Sequence, residues 1–199
     1  MTHPKVTQPD PPHRALRDFV VEMTRLVDRE TEEEALFRTA RPLLSDLLRD
    51  RRWLAAPFAA TGERYQQYLL HCDPLQRFSL VSFVWGPGQA TPIHDHTTWG
   101  LLGVLDGAEQ SQRYAHHDGI WHPQGDLNLF EPGDIDAVSP NIGDVHRVSN
   151  ALADKTSISI HLYGGNIGAI DRHVFDAETG AQKPFRSGYS PELLPNFWL

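Results

Sequence analysis

The spacing of hydrophobic residues along the chain changes near residue 50. From His13 to Arg29 apolar residues recur every three or four positions, as on one face of an amphipathic helix: Leu16, Phe19, Val20, Met23, Leu26 and Val27. Thr31 with Glu34 three residues later forms a capping box for a second helix, and Pro42 is placed to open a third. The pattern therefore predicts N-terminal helices over residues 13–50 that pack on the rest of the domain.

After Trp53 the apolar residues fall into short runs that are separated by Gly, Pro, Asn and Asp. Such runs predict strands, and many short strands are typical of a sandwich or barrel. The predicted strands are Tyr65–Leu70, Arg77–Trp85, Gly100–Leu105, Gln110–His116, Gly119–Pro123, Leu127–Phe130, His146–Ser149 and Ser157–Tyr163.

The two ends of the chain lack this pattern. Residues 1–12 contain four prolines and few apolar residues, which predicts a disordered arm. The tail after Gly164 is predicted to be mostly irregular. Its aromatic side chains are expected to strap residues 165–199 to the barrel: Phe175, Phe185, Tyr189, Phe197 and Trp198.

The last predicted strand, Ser157–Tyr163, alternates strictly between two kinds of side chain. Ser159, His161 and Tyr163 share one face, and the opposite face carries only aliphatic residues. A face with three polar side chains in a row is not an ordinary core face. This row is therefore a candidate for chemistry, although a buried row of polar groups that merely satisfy one another remains the alternative.

Composition narrows the class of protein. A length of 199 residues with 40% hydrophobic content suits one globular domain over residues 13–199. A net charge of -8 without a basic cluster argues against nucleic acid or an anionic membrane as partner. Cys72 is the only cysteine and cannot form an internal disulfide, and no apolar run is long enough for a signal peptide or a membrane span. The expected compartment is the cytoplasm.

Three histidines are candidate metal ligands. Residues two apart in a strand point to the same side, so His94 and His96 can bind one ion, and His146 can complete the site from a neighbouring strand. Asp95 points to the other side and is expected to make a turn or a supporting hydrogen bond. Imidazole suits zinc, copper, iron and nickel alike, so ligand type does not decide the metal. The remaining histidines lack such a setting and are interpreted as surface residues: His71, His116, His117, His122 and His173.

The glycines around these histidines carry a family resemblance. G-x5-H-x-H-x3-G-x6-G from Gly88 to Gly107, and G-x2-H-x3-N from Gly143 to Asn150, resemble the two conserved boxes of the cupin superfamily. The first box usually has a Glu where this chain has Gly100, so the resemblance implies a site with three histidines and no carboxylate. It also implies a jelly-roll-like β-barrel over about residues 60–164, with the N-terminal α-helices packed on it.

The Ser159–His161–Tyr163 row beside a three-histidine site is similar to that of the thiol dioxygenases, the cysteine dioxygenase family of cupins, over roughly residues 60 to 190. This resemblance implies one Fe(II) per chain, with a small thiol and O2 as substrates. It also implies that Tyr163 points its hydroxyl at the substrate or oxygen while His161 and Ser159 hold it in place. Zinc would bind a thiolate but has no redox chemistry, so the zinc-loaded protein is expected to be inactive.

Substrate choice depends on two positions. Animal cysteine dioxygenases carry a carboxylate-binding Arg where this chain has Gln67, and Tyr65 to Leu70 is similar to the bacterial branch described as 3-mercaptopropionate dioxygenases. In that branch an arginine that matches Arg172 is thought to face the substrate carboxylate; a plain surface charge is the alternative. The cysteine of the animal Cys–Tyr link corresponds to about Gly100, so Tyr163 is expected to be free and Cys72 to have no catalytic role.

The resulting hypothesis is an Fe(II)- and O2-dependent dioxygenase that oxidises a small thiol carboxylate, with 3-mercaptopropionate favoured, to its sulfinic acid. Cysteine is the alternative substrate, and cysteamine fits less well because it lacks a carboxylate. Two other classes stay open: a metal-holding cupin that binds a small molecule without turnover, and a zinc or manganese isomerase. The sequence leaves open the oligomeric state, the pathway and the way in which substrate coordinates the metal.

Overall fold

A computed structural model describes residues 14–190. The arm predicted at residues 1–12, and the aromatic residues Phe197 and Trp198 of the tail, lie outside this range. The described part of the chain begins with helices α1 (Arg14–Arg29) and α2 (Glu33–Leu48), followed by two short 3-10 helices at Arg51–Trp53 and Ala56–Ala59. None of the described helices is long and apolar enough to cross a membrane.

Helix α1 buries the predicted face, including Leu16 and Met23. Helix α2 differs from the prediction in two ways. Its N-cap is Glu32 and makes no side-chain capping bond, so the predicted capping box at Thr31 is wrong. Pro42 does not open a third helix but lies inside α2. The helix continues because Pro42 lies on its exposed side, where water can bind the freed carbonyl of the preceding turn, while the buried stripe runs on without interruption.

Eleven strands in the described range form two sheets. The five-stranded sheet has the order β1-β2-β9-β4-β7 and the six-stranded sheet the order β11-β10-β3-β8-β5-β6. The strands are β1 (Gln66–Cys72), β2 (Ser79–Trp85), β3 (Ile93–His94), β4 (Gly100–Asp106), β5 (Glu109–His117), β6 (Ile120–Phe130), β7 (Ile135–Val138), β8 (His146–Asn150), β9 (Ser157–Tyr163), β10 (Arg172–Phe175) and β11 (Gln182–Phe185).

The five-stranded sheet is the middle of three layers. One of its faces packs against α1 and α2, and Ile160 and Leu162 of β9 point into that core. Its other face packs towards the six-stranded sheet, where Phe83 and Tyr163 meet Val148. Strand β2 is buried along its whole length because both of its faces are covered. The alternation in β9 therefore places its aliphatic residues under the helices and its polar row between the two sheets.

The predicted mainly-β fold with N-terminal helices packed on it is confirmed. The two sheets of this jelly-roll-like fold are separate and not closed into a barrel, and each ends in edge strands. The predicted strands Gly119–Pro123 and Leu127–Phe130 form the single strand β6, which continues through Pro123 and Gly125. A proline without an N–H is tolerated there because β6 is an edge strand. The tail is mostly irregular over residues 165–190, as predicted, but it also contains two short strands that the sequence did not predict: β10 pairs with β3, and β11 pairs with β10.

Candidate metal centre

Three histidine side chains meet at the centre of the six-stranded sheet. His94 of β3 lies directly opposite His146 of β8 in an antiparallel pair, and His96 follows two residues after His94. The three ring centroids form a triangle with 4.9 Å on each side. One nitrogen from each ring lies within 4.8 Å of the other two, and all three residues are buried. The structure thus brings together the three predicted ligands.

Hydrogen bonds fix the orientation of each ring through its Nδ1 atom. His94 Nδ1 lies 3.1 Å from the Pro92 carbonyl, and His146 Nδ1 lies 3.1 Å from the Ser111 hydroxyl. His96 Nδ1 lies 2.9 Å from a carboxylate oxygen of Asp144. Since each Nδ1 is engaged, Nε2 is the atom that each ring has left for a ligand. His96 Nε2 is buried and has no hydrogen-bond partner within residues 14–190.

This donor set fits a divalent transition metal. Burial, and then the neighbouring imidazole charges, hold the pKa of His94 and His146 well below the usual range, so both rings are neutral at pH 7. Neutral imidazoles whose second nitrogen is held by a carboxylate or a carbonyl are the usual arrangement of histidine metal ligands. A buried Nε2 atom without a partner is costly for the protein unless something binds it.

The supporting carboxylate at Asp144 was missed in the sequence. Asp144 also accepts hydrogen bonds from the backbone N–H groups of His96 and Thr97. Burial opposes its ionisation, but the hydrogen bonds from His96 and Thr97 outweigh burial and lower its pKa. Its position two residues before His146, in the second glycine box, could have indicated a role near the metal site. Its hydrogen-bond partner His96 is 48 residues away in the chain, and only the fold reveals that contact.

The Ser159–His161–Tyr163 row faces the histidines from the other sheet. Ser159 Oγ lies 2.8 Å from His161 Nε2, and His161 Nδ1 lies 2.8 Å from the Tyr163 hydroxyl. The Trp85 indole N–H donates to Ser159 Oγ at 3.2 Å, and the His161 ring stacks on Phe83. All three members of the row are buried. Burial lowers the pKa of His161 and raises that of Tyr163, so both stay neutral at pH 7.

His161 and Tyr163 of the row share one pocket with the three histidines, with about 410 Å³ of empty space, solvent at its mouth included. The Tyr163 ring stacks on His96 with 5.6 Å between centroids, so the tyrosine stands at the edge of the histidine triangle. Aromatic and aliphatic side chains cover much of the remaining wall: Tyr65, Phe83, Trp85, Val148 and Phe185. A polar centre is thereby enclosed by apolar walls.

Arg172 and Gln67 line the same pocket. Arg172 is only 3% exposed, so the alternative of a plain surface charge is wrong. Its guanidinium donates to the Ser187 hydroxyl at 2.7 Å, lies 4.6 Å from the centre of the Phe185 ring, and has an Nε atom without a partner in the described part of the chain. Burial lowers its pKa. Gln67 donates through its amide to the Gly188 carbonyl at 2.7 Å.

Gly100 lies beside Tyr163 in the β4–β9 ladder. A Cβ atom at this position would lie 2.9 Å from the Tyr163 ring, so the glycine lets the ring pack against the strand. Cys72 lies in β1, two strands from β9 in the sheet order. Asp95 lies outside the triangle and accepts hydrogen bonds from the backbone and the ring of His173, at 2.6 and 2.8 Å.

Comparisons with known proteins agree with the motifs. The family model described as cysteine dioxygenase type I matches residues 56–176. Cysteine dioxygenase type 1 from Bos taurus and from Homo sapiens are each 28% identical to this chain over 107 residues. These alignments cover 52% of this chain and 52% of each relative, so the chain spans about half the length of the curated relatives it matches.

Solved structures give more distant likenesses. A protein from Klebsiella pneumoniae with a double-stranded β-helix domain is 19% identical to this chain, with a TM-score of 0.43; the alignment covers 54% of this chain and 78% of the Klebsiella chain. A cupin superfamily protein from Desulfitobacterium hafniense is 11% identical, with a TM-score of 0.41; the alignment covers 54% of this chain and 83% of the Desulfitobacterium chain.

Proposed function

Because this chain belongs to the cysteine dioxygenase type I family, we propose that it is an Fe(II)-dependent dioxygenase that oxidises 3-mercaptopropionate to its sulfinic acid. The reaction adds both atoms of O2 to one thiol sulfur, so that RSH and O2 give RSO2H. The observation that carries this proposal is the triangle of His94, His96 and His146, which faces the Tyr163 hydroxyl and the Arg172 guanidinium across one pocket.

The three histidines would hold the iron through Nε2. Fe(II) would supply open coordination positions and the redox chemistry that a thiol and O2 need in order to react. His94 and His146 enter this role neutral, because burial lowers their pKa. Asp144 accepts the Nδ1 proton of His96 and so fixes the tautomer whose unprotonated Nε2 can bind the metal.

Arg172 is suited to bind the substrate carboxylate. Its Nε atom is buried without a partner in residues 14–190, and it lines the same pocket as the histidines. A planar guanidinium can pair a carboxylate with two charge-assisted hydrogen bonds, worth about 1.5–3 kcal/mol each. The contacts with Phe185 and Ser187 hold the guanidinium in place before substrate arrives.

Tyr163 is suited to donate a hydrogen bond to negative charge that develops on the reacting atoms. Its hydroxyl is held by His161, which is held by Ser159 and by the Phe83 ring. A donor that is fixed before the reaction needs no reorganisation during it. Phe83, Trp85 and Val148 limit the access of water, which strengthens the electrostatic effect of this donor.

The pocket lining favours a thiol acid without an amino group. The described lining residues include one cation, Arg172, and no Asp or Glu. The ammonium group of cysteine or cysteamine would therefore lose water without gaining an ion pair, which is unfavourable. 3-Mercaptopropionate has the carboxylate that Arg172 can bind and no ammonium group.

Cysteine is the second candidate substrate, and the family comparison supports it. The matching family is described as cysteine dioxygenase type I, and the curated relatives carry the name cysteine dioxygenase type 1. Gln67 stands in the pocket where the resemblance to animal members expects an arginine, which weakens this alternative.

Oxygen uptake by the Fe(II)-loaded protein tests the proposal, with 3-mercaptopropionate, cysteine and cysteamine compared over a range of concentrations and the sulfinate identified by mass spectrometry. We expect the highest kcat/KM for 3-mercaptopropionate and no uptake by zinc-loaded protein. A preference for cysteine would keep the reaction but reject the substrate. No uptake with any of the three thiols would favour a metal-holding protein without turnover.

A further inference from the structure

A second cavity lies between the two sheets, beside the substrate pocket. It has about 290 Å³ of empty space, solvent at its mouth included. Apolar side chains make up much of its wall: Leu102, Val104, Phe130 and Val148. The function proposed above gives this cavity no role.

The strand order places the two spaces at opposite edges of the sheets. Gln67 of β1 and Phe185 of β11 line the substrate pocket, and both strands are edge strands. The second cavity is lined by Phe130 of β6 and Asp136 of β7, which are the edge strands on the other side. Phe130 and Asp136 are half-buried, so the cavity meets solvent beside them. The space between the sheets is therefore open from both sides.

The two spaces meet at three side chains that line both of them: His146, Val148 and His161. His146 is one corner of the histidine triangle, and its Nδ1 atom lies 3.1 Å from the Ser111 hydroxyl. The His161 ring is fixed by its hydrogen bond with Tyr163. Since both imidazoles are held in this way, a small apolar molecule would pass beside the aliphatic side chain of Val148.

The acidic groups of the second cavity are paired with protein partners. Glu109 accepts a hydrogen bond from the Ser157 hydroxyl at 3.0 Å, and Asp136 accepts one from Arg113 at 2.8 Å. The described lining residues include no Lys or Arg. A carboxylate in this cavity would lose its water without gaining a cation, which is unfavourable. The lining therefore suits a small neutral molecule and disfavours the thiol acid that Arg172 can bind.

The two substrates of the proposed reaction differ in the same way. The thiol acid would fill the space between Arg172 and the histidine triangle, and so obstruct the way from the first mouth for a second molecule. O2 is small, neutral and apolar, and its transfer from water into apolar surroundings is favourable. Apolar cavities in proteins hold small apolar molecules such as xenon.

We propose that the second cavity is a binding site for O2, from which O2 reaches the histidine triangle beside Val148 while the thiol acid occupies the first pocket. This inference rests on the proposed function, since that reaction is what makes O2 a substrate. It assigns each substrate its own edge of the sheets: the thiol acid enters beside β1 and β11, and O2 enters beside β6 and β7.

Binding of O2 in the cavity can be measured without turnover. Zinc-loaded protein with 13C-labelled Leu and Val methyl groups is diamagnetic, whereas O2 is paramagnetic and speeds the relaxation of nearby methyl groups. Spectra under O2 pressure are compared with spectra under nitrogen. We expect the largest added relaxation at the methyl groups of Leu102 and Val104.

Two other leucines supply the controls within the same spectra. Leu75 is 73% exposed and reports O2 in solution, and Leu80 is 0% exposed and lies in the core under the helices. The proposal is overturned if Leu102 and Val104 respond no more than Leu75 or than Leu80. Because these spectra need neither iron nor a thiol, a failure of the dioxygenase proposal is seen separately, as absence of oxygen uptake.

Val104→Phe tests the route in the active enzyme, because it fills the second cavity and not the substrate pocket. Initial rates are measured over a range of O2 concentrations at saturating 3-mercaptopropionate. We expect a several-fold fall in kcat/KM for O2, while kcat/KM for 3-mercaptopropionate at saturating O2 stays close to that of the unsubstituted chain. Phe130→Trp makes the same test at the half-buried mouth, where added volume meets solvent rather than the core.

Val27→Phe is the matched control, since it makes the same change of side chain against the helix-side core, away from both spaces. It should keep both values of kcat/KM. Unchanged kcat/KM for O2 in Val104→Phe and in Phe130→Trp would overturn the route. Equal losses for O2 and for 3-mercaptopropionate would also overturn it, because they would indicate a general disturbance of the site.

Discussion

The two walls of the pocket are built in different ways. The histidine wall comes from strands of two and five residues, β3 and β8, and from the loop that follows β3. The row wall comes from the seven-residue strand β9, which is paired along its length with β2 and β4. One strand places the whole row, whereas three separate segments must meet to form the histidine triangle.

The walls also differ in what holds their polar groups. The row is internally satisfied, because Ser159, His161 and Tyr163 bond to one another and to Trp85. The histidines are held from outside, by Pro92, Ser111 and Asp144, and keep their inner nitrogens for a ligand. The histidine wall thus keeps free nitrogen atoms that can bind a ligand, whereas the row wall holds the Tyr163 hydroxyl in one position. Substitutions in the two walls should therefore separate metal content from turnover.

The largest expected effect is that of His96→Ala on metal content. Loss of a hydrogen-bond partner of a metal-binding histidine typically costs about 10–100-fold in affinity, so loss of the imidazole itself should cost more than about 100-fold. Iron content after dialysis, measured by mass spectrometry of the metal, should fall to background. His122→Ala removes an exposed histidine and should leave it unchanged. Full iron content in His96→Ala would show that the histidine triangle is not the metal site.

Tyr163→Phe should lower turnover without lowering metal content. Iron content should stay, while kcat falls by about 10²–10³-fold, the loss typical of removing one fixed donor to developing charge. Tyr68→Phe is the matched control, since Tyr68 is also buried but donates to the Ala60 carbonyl, away from the pocket. Stopped-flow and steady-state rates measure both variants. Unchanged kinetics in Tyr163→Phe would show that the Ser159–His161–Tyr163 row does not contribute to the reaction.

Arg172→Met tests the part of the pocket that should choose the substrate. One charge-assisted bond of about 1.5–3 kcal/mol corresponds to about 10- to 150-fold in kcat/KM, so the loss of both bonds in Arg172→Met should lower kcat/KM by at least this factor. The loss should appear with 3-mercaptopropionate and not with cysteamine, which has no carboxylate. Arg186→Met provides the control, because Arg186 is exposed and paired with Asp171. Equal losses with both thiols would indicate a packing role for Arg172.

Asp144→Asn should have the smallest effect and should act only on the histidine wall. An amide can still hydrogen-bond His96 but no longer supplies the negative charge, so Fe(II) affinity should fall by about 10-fold or less, at the lower end of such supporting contacts. Titration with Fe(II) under anaerobic conditions measures it. The turnover of fully loaded protein should stay close to that of the unsubstituted chain. A large loss of turnover at saturating iron would mean that Asp144 also acts on the reaction.

Local patterns predicted the elements whose side chains repeat regularly. The i, i+3, i+4 spacing of α1 and the alternation of β9 were both sufficient, because one face of each is buried against the same core. Patterns failed where the tertiary setting overrides local preference. Pro42 stays inside α2 since its side of the helix is exposed, and β10 forms because its backbone pairs with β3.

Within the pocket, the sequence by itself determined which residue types were available and which of them share a strand face: His94 with His96, and Ser159 with His161 and Tyr163. Only the tertiary structure decided what lies opposite them. The hydrogen bond between His96 and Asp144 joins residues that are 48 positions apart in the chain, and the burial of Arg172 is likewise a property of the folded chain alone. The physical reason is that periodicity fixes the direction of a side chain relative to its own backbone, whereas its neighbours and its burial depend on how the sheets pack.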